Sequence, residues 1–302
     1  IILCEIGGTV GDIEALPFFE AARQIKQKMK NSVGFIHLTY VPYLEAAKEI
    51  KTKPTQHSVK ELMSIGIVPD VLVCRSSMKI GKENKKKIAL FCNVDESCVI
   101  EALDVKSIYS IPLLYVKQGL HTALLNIVGL PEEAPDLKEF EDLVQRESSL
   151  KKTVKVLVAG KYNNKESYKS LFEALHHAGI AETVETEIKW VNTKKYDEAD
   201  LPEDLFTDIG GIGIPGGFGV GGIEGKIKII NYARKHNIPI LGICYGFQLM
   251  VIEFARNVLG IKNASSEEFE DATGEKIVGL ITSFENEGVI ETRSKASDIG
   301  GT

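Results

Sequence analysis

Cysteine is scarce and never paired at metal-ligand spacing. Cys4, Cys74, Cys92, Cys98 and Cys244 form an odd set of five with no C-x-x-C among them, which disfavours both a disulfide scaffold and a structural zinc site. No apolar stretch reaches roughly 18 residues, and no charged-then-apolar leader opens the chain. A membrane-spanning helix and a secretory signal are therefore not expected, and the chain reads as soluble and cytoplasmic. Excess positive charge is also missing: a net charge of −6 argues against general nucleic-acid binding while leaving room for small local anion sites. Internal repeats and low-complexity tracts are absent. Histidine is confined to the part before Cys244, at His37, His57, His121, His176, His177 and His236.

What is present suits a folded α/β chain. A hydrophobic content of 44% over 302 residues can build a sizeable core, ordinarily divided between about two domains. One seam is visible, where Pro131-Glu132-Glu133-Ala134-Pro135-Asp136 opens a polar stretch that runs to Ser149. It reads as a linker over 131–152 with a short helix, between domains at 1–130 and 153–302. Before the seam, strands are expected at Phe35–Leu38, Val71–Cys74, Ile88–Asn93 and Leu113–Val116, with amphipathic helices between them. After it, Val154–Gly160 and Glu187–Val191 read as strands around a helix from Tyr168 to Ala178. Such alternation implies a largely parallel sheet flanked by helices in each domain.

The stretch carrying most chemistry is Gly242-Ile243-Cys244-Tyr245-Gly246-Phe247-Gln248, directly after the apolar run Ile238–Leu241. It reads as a strand turning sharply into a helix, with the cysteine at the apex of a nucleophile elbow. Glycines two before and two after leave room for a strained turn, and the helix N-terminus beyond it favours thiolate over thiol. The bland reading is a buried core cysteine. Upstream, Gly210-Gly211-Ile212-Gly213-Ile214-Pro215-Gly216-Gly217-Phe218-Gly219 looks like a strand end opening into a loop with exposed N–H groups. Either it is a plain glycine-rich turn, or Gly217 N–H and Tyr245 N–H are donors to an oxyanion.

Two clusters mark the first half. In Cys4-Glu5-Ile6-Gly7-Gly8-Thr9-Val10-Gly11-Asp12-Ile13-Glu14 a strand breaks into glycines and acids at a helix start. Glu5, at a strand's carboxyl end, is a candidate Mg²⁺ ligand; Asp12 and Glu14 either meet a ligand or cap the helix running to Arg23. Lys51-Thr52-Lys53-Pro54-Thr55-Gln56-His57-Ser58 then enters a helix with Val59, Leu62 and Met63 on one face and Gly66 at its end. Lysines at a helix N-terminus compose an anion site suited to a nucleotide phosphate; the alternative is a solvated basic loop, and His57 reads as a packed or surface residue.

The pair PGGFG and GICYGFQ resembles the class I, triad-type glutamine amidotransferases, whose cysteine takes the amide of glutamine and releases ammonia. With EIGGTVGDIE, KTKPTQHSVKEL, KIALFCNV and SIYSIPLL preceding them in that order, nearly the whole chain is similar to the CTP synthases. The resemblance implies a P-loop-like synthetase domain joined to a class I glutaminase domain, making CTP from UTP, ATP and glutamine. By similarity, Cys244 is the nucleophile, Gly217 and Tyr245 form the oxyanion hole, and Gly217, Gln248 and Glu268 hold glutamine. Glu5 would bind Mg²⁺. The segment Asp12, Ile13 and Glu14 would meet CTP as inhibitor, Lys51, Thr52, Lys53, Pro54, Thr55 and Gln56 with Lys87 would hold UTP, and Asp104 and Val105 would lie against the adenine of ATP. GTP as allosteric activator, a homotetramer with nucleotide sites between subunits, and stacking into filaments are implied in the same way. Tyr245 stands where relatives usually have leucine, and Leu103 where they often have a basic residue.

The resemblance also sets expectations for the ends. The family carries a glycine-lysine phosphate loop and an Mg²⁺-binding aspartate upstream of this sequence, and a histidine and an acid downstream of the cysteine. Ile1-Ile2-Leu3 reads as the middle of a hydrophobic strand, so residue 1 is taken as a cut, and the 302 residues alone are expected not to make CTP. Other classes to weigh are a non-catalytic nucleotide-binding or assembly relative and the glutaminase unit of another synthetase; the latter conflicts with KTKPTQ in the first half.

Overall fold

Proline just inside a helix start forfeits no hydrogen bond, because the first N–H groups have no partner in the helix. The first half uses it twice in its opening elements, with Pro17 in α1 (Leu16–Met29) and Pro54 in α2 (Lys53–Ser64). The computed structural model describes residues 1–163, 165–217, 219, 221–269, 274–279, 283–286 and 289–292. The chain divides into two compact units, Ile1–Ser148 and Ser149–Thr302.

In the first unit α1 is followed by β1 (Ile36–Tyr40), a short antiparallel pair β2 (Tyr43–Leu44) and β3 (Glu49–Ile50), and then α2. Next come β4 (Val71–Ser76), α3 (Lys82–Cys92), β5 (Val99–Leu103), α4 (Ile111–Lys117), α5 (Leu120–Val128) and α6 (Lys138–Ser148). The sheet has the order β1-β4-β5 and is parallel throughout, with Leu38 opposite Val73 and Val73 opposite Ile100. Central strand β4 is buried on both faces, as a parallel strand covered by helices on either side should be. Leu72 and Cys74 pack with Val59, Ile88, Ala89 and Cys92, while Val71 and Val73 pack with Leu120, Leu124 and Ile127 of α5.

Three sequence expectations need correction here. Ile88–Asn93 and Leu113–Val116 are not strands: they lie at the end of α3 and within α4. The run Ile88-Ala89-Leu90-Phe91-Cys92 is the last part of a helix begun at Lys82. Only Ile88, Ala89 and Cys92, at helical spacing, are buried, and Leu90 and Phe91 are exposed. Pro112, in the first turn of α4, presets a helical φ. Residues 1–7 form no strand; Ile6 and Val10 instead pack beside Phe19 and Leu62. The sheet's third strand, β5, was not anticipated.

The second unit contains β6 (Lys152–Gly160), α7 (Lys169–Ala181), β7 (Val184–Asn192), β8 (Ile209–Ile214), α8 (Ile223–Lys235), β9 (Ile240–Gly242) and α9 (Tyr245–Asn257). Its sheet is parallel, in the order β7-β6-β8-β9. Leu157, Ala159, Ile212 and Ile214 meet Ile227, Ile230, Leu249 and Ile252 of α8 and α9. Gly160 allows Trp190 to cross the end of β6, since a Cβ there would overlap the indole at 1.9 Å. Among the described residues no helix is long and apolar enough to cross a membrane. The fold is thus α/β, with a parallel sheet flanked by helices in each unit.

Replacing a wholly buried leucine on a central strand removes apolar contacts and leaves a cavity. Leu72→Ala is expected to lower the unfolding free energy of its unit by about 2–5 kcal/mol in urea titrations; a loss below about 1 kcal/mol would contradict this packing.

Candidate active site

Strand β9 delivers the chain to the elbow. Ile243 N–H donates to Ile214 O at 3.0 Å, which ties the strand's end to β8. Cys244 then takes φ 53° and ψ −115°, a conformation that side chains other than glycine rarely adopt. Its carbonyl accepts from Phe247 N–H and Gln248 N–H at 3.0 and 3.2 Å, starting α9. The flanking glycines are a steric necessity. A Cβ on Gly246 would sit 1.9 Å from Ile214 O, and one on Gly242 would meet Met250 Sδ at 2.5 Å and Phe247 N at 2.7 Å. Cys244 is exposed.

The glycine loop after β8 lies against this thiol: a Cβ on Gly216 would be 3.4 Å from Cys244 Cβ and 3.8 Å from Sγ. Among the described residues neither Gly217 N–H nor Tyr245 N–H donates to a protein acceptor. Lys161 braces the loop from the end of β6, its Nζ donating to Gly219 O at 2.7 Å and its side-chain carbons passing 3.1 Å from where a Gly217 Cβ would be. Tyr168 Oη donates to Gly216 O at 3.4 Å. Burial, then the neighbouring Lys194, pushes the Lys161 ammonium below the ordinary lysine range. One turn into α9, Gln248 Oε1 is buried without a protein donor. Tyr245 is buried and meets Phe269 edge-on at 6.4 Å between ring centres. Burial, with a smaller contribution from the Glu268 charge, pushes its phenol up. Glu268, whose N–H donates to Ser266 Oγ at 3.2 Å, also acts electrostatically on Lys161. Cys244, Gly217, Tyr245, Gln248 and Glu268 thus converge around one loop and one helix start. His236 does not join them: it follows α8, ahead of β9, and stacks on Tyr232 at 3.9 Å.

In the first unit, Lys51–Gln56, Asp104 and Val105 lie at the carboxyl edge of the sheet, in the connections that follow β1 and β5. Ligands of open parallel sheets bind at this edge. Lys51 is paired with Glu49, and its N–H donates to Pro42 O. Lys53 and Pro54 are exposed at the start of α2, and Thr52 Oγ1 accepts from Gln56 Nε2 at 3.1 Å. Thr55 points inward, its hydroxyl donating to Tyr40 O at 3.1 Å. Lys87 is exposed on α3, and no hydrogen bond or ion pair among the described residues joins it to the 51–56 segment. Asp104 pairs with Arg75 at 3.2 Å. Asp12 does not cap a helix; its carboxylate accepts from Thr9 N–H at 2.7 Å and closes the glycine turn, while Ile13 and Glu14 are exposed.

Residues 1–130 match the family model described as CTP synthase N-terminus, and residues 164–295 match that of glutamine amidotransferase class-I. All of this chain aligns with the CTP synthases of Maricaulis maris (47% identity over 304 residues) and Nitrobacter hamburgensis (48% over 303), in each case covering 56% of the relative. Along its whole length the chain is similar to proteins named CTP synthase. It spans about half the length of the curated relatives it matches. A solved structure described as the glutaminase domain of Trypanosoma brucei CTPS with bound acivicin aligns over 40% of this chain and 48% of its own, at 34% identity and a TM-score of 0.36.

The residues present do not by themselves compose an Mg²⁺ site. Mg²⁺ demands near-octahedral oxygen coordination, Glu5 supplies one exposed carboxylate, and among the described residues no group of three or more His, Cys, Asp or Glu is placed to hold a metal. Sequence reasoning passed over Lys161, Tyr168 and Lys226, which hold the glycine loop. For Lys226 a signal existed: it falls on the helical stripe Ile223, Lys226, Ile227, Ile230 and Ala233, all buried.

The steric argument for the elbow predicts that Gly246→Ala destabilises the unit by about 1–3 kcal/mol, because a carbonyl cannot move aside as a flexible side chain can. Gly211→Ala, whose nearest neighbour is 3.8 Å away, should stay within about 0.5 kcal/mol. Equal losses in thermal or urea unfolding would contradict the close approach.

Proposed function

We propose that this chain forms part of an ATP-dependent amidoligase that converts UTP to CTP with ammonia taken from glutamine. The observation that carries the reading is the strained Cys244 at an elbow whose glycines are sterically required, in a chain 47% identical along its whole length to proteins named CTP synthase.

The chemistry follows from the geometry. The Cys244 thiolate attacks the side-chain amide carbon of glutamine; a C–S bond forms as the carbonyl electron pair moves onto oxygen. Gly217 N–H and Tyr245 N–H, without protein acceptors among the described residues, suit that oxyanion. Collapse expels the nitrogen as ammonia once it is protonated, and water then cleaves the thioester, releasing glutamate and restoring the thiol. Glu268 balances the substrate ammonium, and buried Gln248 Oε1 accepts from a substrate donor. His236, which lies ahead of β9 and stacks on Tyr232, is not the proton acceptor for Cys244. In the first unit ATP phosphorylates the uracil 4-oxygen and ammonia displaces phosphate. Lys51, Thr52, Lys53, Pro54, Thr55, Gln56 and Lys87 serve UTP, with Thr55 acting through the helix start it anchors. Asp104 and Val105 border the adenine, and the Asp12–Glu14 turn meets CTP. Mg²⁺ with Glu5, GTP activation, a cytoplasmic homotetramer and filaments complete the reading.

In the full-length protein, Cys244→Ala should abolish glutamine-dependent CTP formation and spare the reaction fed by ammonium; equal loss of both would contradict separate roles. Lys53→Ala removes a charge-assisted contact worth roughly 1.5–3 kcal/mol, so UTP affinity measured by calorimetry should fall about one to two orders of magnitude. Unchanged binding would mean that the lysine is merely solvated.

A further inference from the structure

Lys226 is a lysine where the helix calls for an apolar residue. It lies on the buried stripe of α8 with Ile223, Ile227 and Ile230 and is 0% exposed. Burying an ammonium ion is costly unless its charge and donors are compensated. The compensation on the protein side is incomplete. Nζ donates to Pro215 O at 2.7 Å and lies 5.8 Å from the centre of the Tyr245 ring, which is a favourable but weak cation contact. Among the described residues no carboxylate pairs with it. Glu253, also buried on α9, is committed to Arg234, Asn231 and Asn257, and Glu224 pairs with Arg256. Of the charged and titratable groups that act on Lys226, Lys161 opposes its charge and Cys244 favours it. Lys161 has its own balance with Lys194, Asp197 and Glu268. Burial, followed by Lys161, brings the Lys226 ammonium down to about 8, so it still carries its charge at neutral pH.

We infer that Lys226 is a positioning residue for the glutaminase step, the buried counter-ion of the Cys244 thiolate and, through the Pro215 carbonyl, the anchor of the Gly216–Gly217 turn. The two roles are geometrically one. Pro215 opens the loop whose next residue touches the Cys244 side chain, so a single ammonium group fixes the loop's entry and supplies positive potential from beneath it. The Cys244 charge in turn favours the Lys226 ammonium. The inference rests on Cys244 being the nucleophile.

The test follows alkylation of individual cysteines by iodoacetamide in the full-length protein between about pH 5 and 9, read by peptide mass spectrometry. Wild type, Lys226→Met and Lys226→Gln are compared, with exposed Cys4 as internal reference. Methionine matches the length of the stem and removes a desolvated charge, so folding should survive; glutamine is neutral but keeps a donor. In wild type, Cys244 should react faster than Cys4 at neutral pH. In both variants its reactivity at pH 7 should drop about fivefold to tenfold and its pH profile move up by about one unit, while Cys4 is unaffected. A folded variant whose Cys244 profile matches wild type would overturn the role of Lys226 alone. A wild-type Cys244 no more reactive than Cys4 would overturn the nucleophile reading itself, and this inference with it.

Discussion

The approach of the Gly246 backbone to the carbonyl of Ile214 constrains everything that follows in the second unit. A side chain at Gly246 would lie within 1.9 Å of that oxygen, so only glycine lets α9 begin directly against the end of β8. The same carbonyl accepts from Ile243 N–H, which leaves Cys244 as the one residue that must turn the corner, at positive φ. Strain of this kind costs on the order of 1–3 kcal/mol and persists only where neighbouring structure over-determines it. Here the strand pairing of β8 with β9 and the packing of Leu249 and Ile252 against Ile212 and Ile214 supply that surplus.

Once the corner is fixed, the glycine loop after β8 is the second partner, and side chains hold it. Tyr168 donates to Gly216 O, Lys161 to Gly219 O, and Lys226 to Pro215 O. Farther along, Asp197 accepts from Gly222 N–H and Gly225 N–H at 2.7 and 3.0 Å and so caps the start of α8. Each of these donors and acceptors engages a backbone group that a loop without a ladder would leave unpaired. The result is a turn whose Pro215, Gly216 and Gly219 carbonyls are occupied from the protein side while Gly217 N–H has no protein acceptor among the described residues. That polarity suits a developing negative charge in front of Cys244.

The elbow was legible because its requirements are local: a strand, two glycines flanking the cysteine at fixed spacing, and a helix. The parallel sheets were legible where strands are buried, as at Val71–Cys74 and, from Leu157 on, in Val154–Gly160. Reading failed where apolar runs lacked period. Ile88–Cys92 gives no alternation by which to tell a strand from the end of a helix, and the lysines before it look like a loop until Ile88, Ala89 and Cys92 are seen to share one face. Strand β5 escaped because Glu101 interrupts it; its carboxylate turns to accept from Ile80 and Gly81 N–H, a tertiary contact with no sequence mark. Lys161 and Lys226 were missed because a lysine is read as solvated by default, and only the stripe on which Lys226 falls argues otherwise. The anion site at Lys51–Gln56 was read from its lysines and helix start and its ligand from resemblance, and the structure adds that Thr55 and Asp12 spend their side chains on the protein itself.

The central claim is that Cys244 becomes acylated by glutamine. Rapid acid quenching of the full-length protein during turnover with glutamine labelled at the side-chain carbonyl carbon, followed by peptide mapping, tests it directly. The account predicts a base-labile label on the peptide containing Cys244 and on no peptide carrying Cys4, Cys74, Cys92 or Cys98. Label on another cysteine, or ammonia release with no covalent label at any time point, would contradict it.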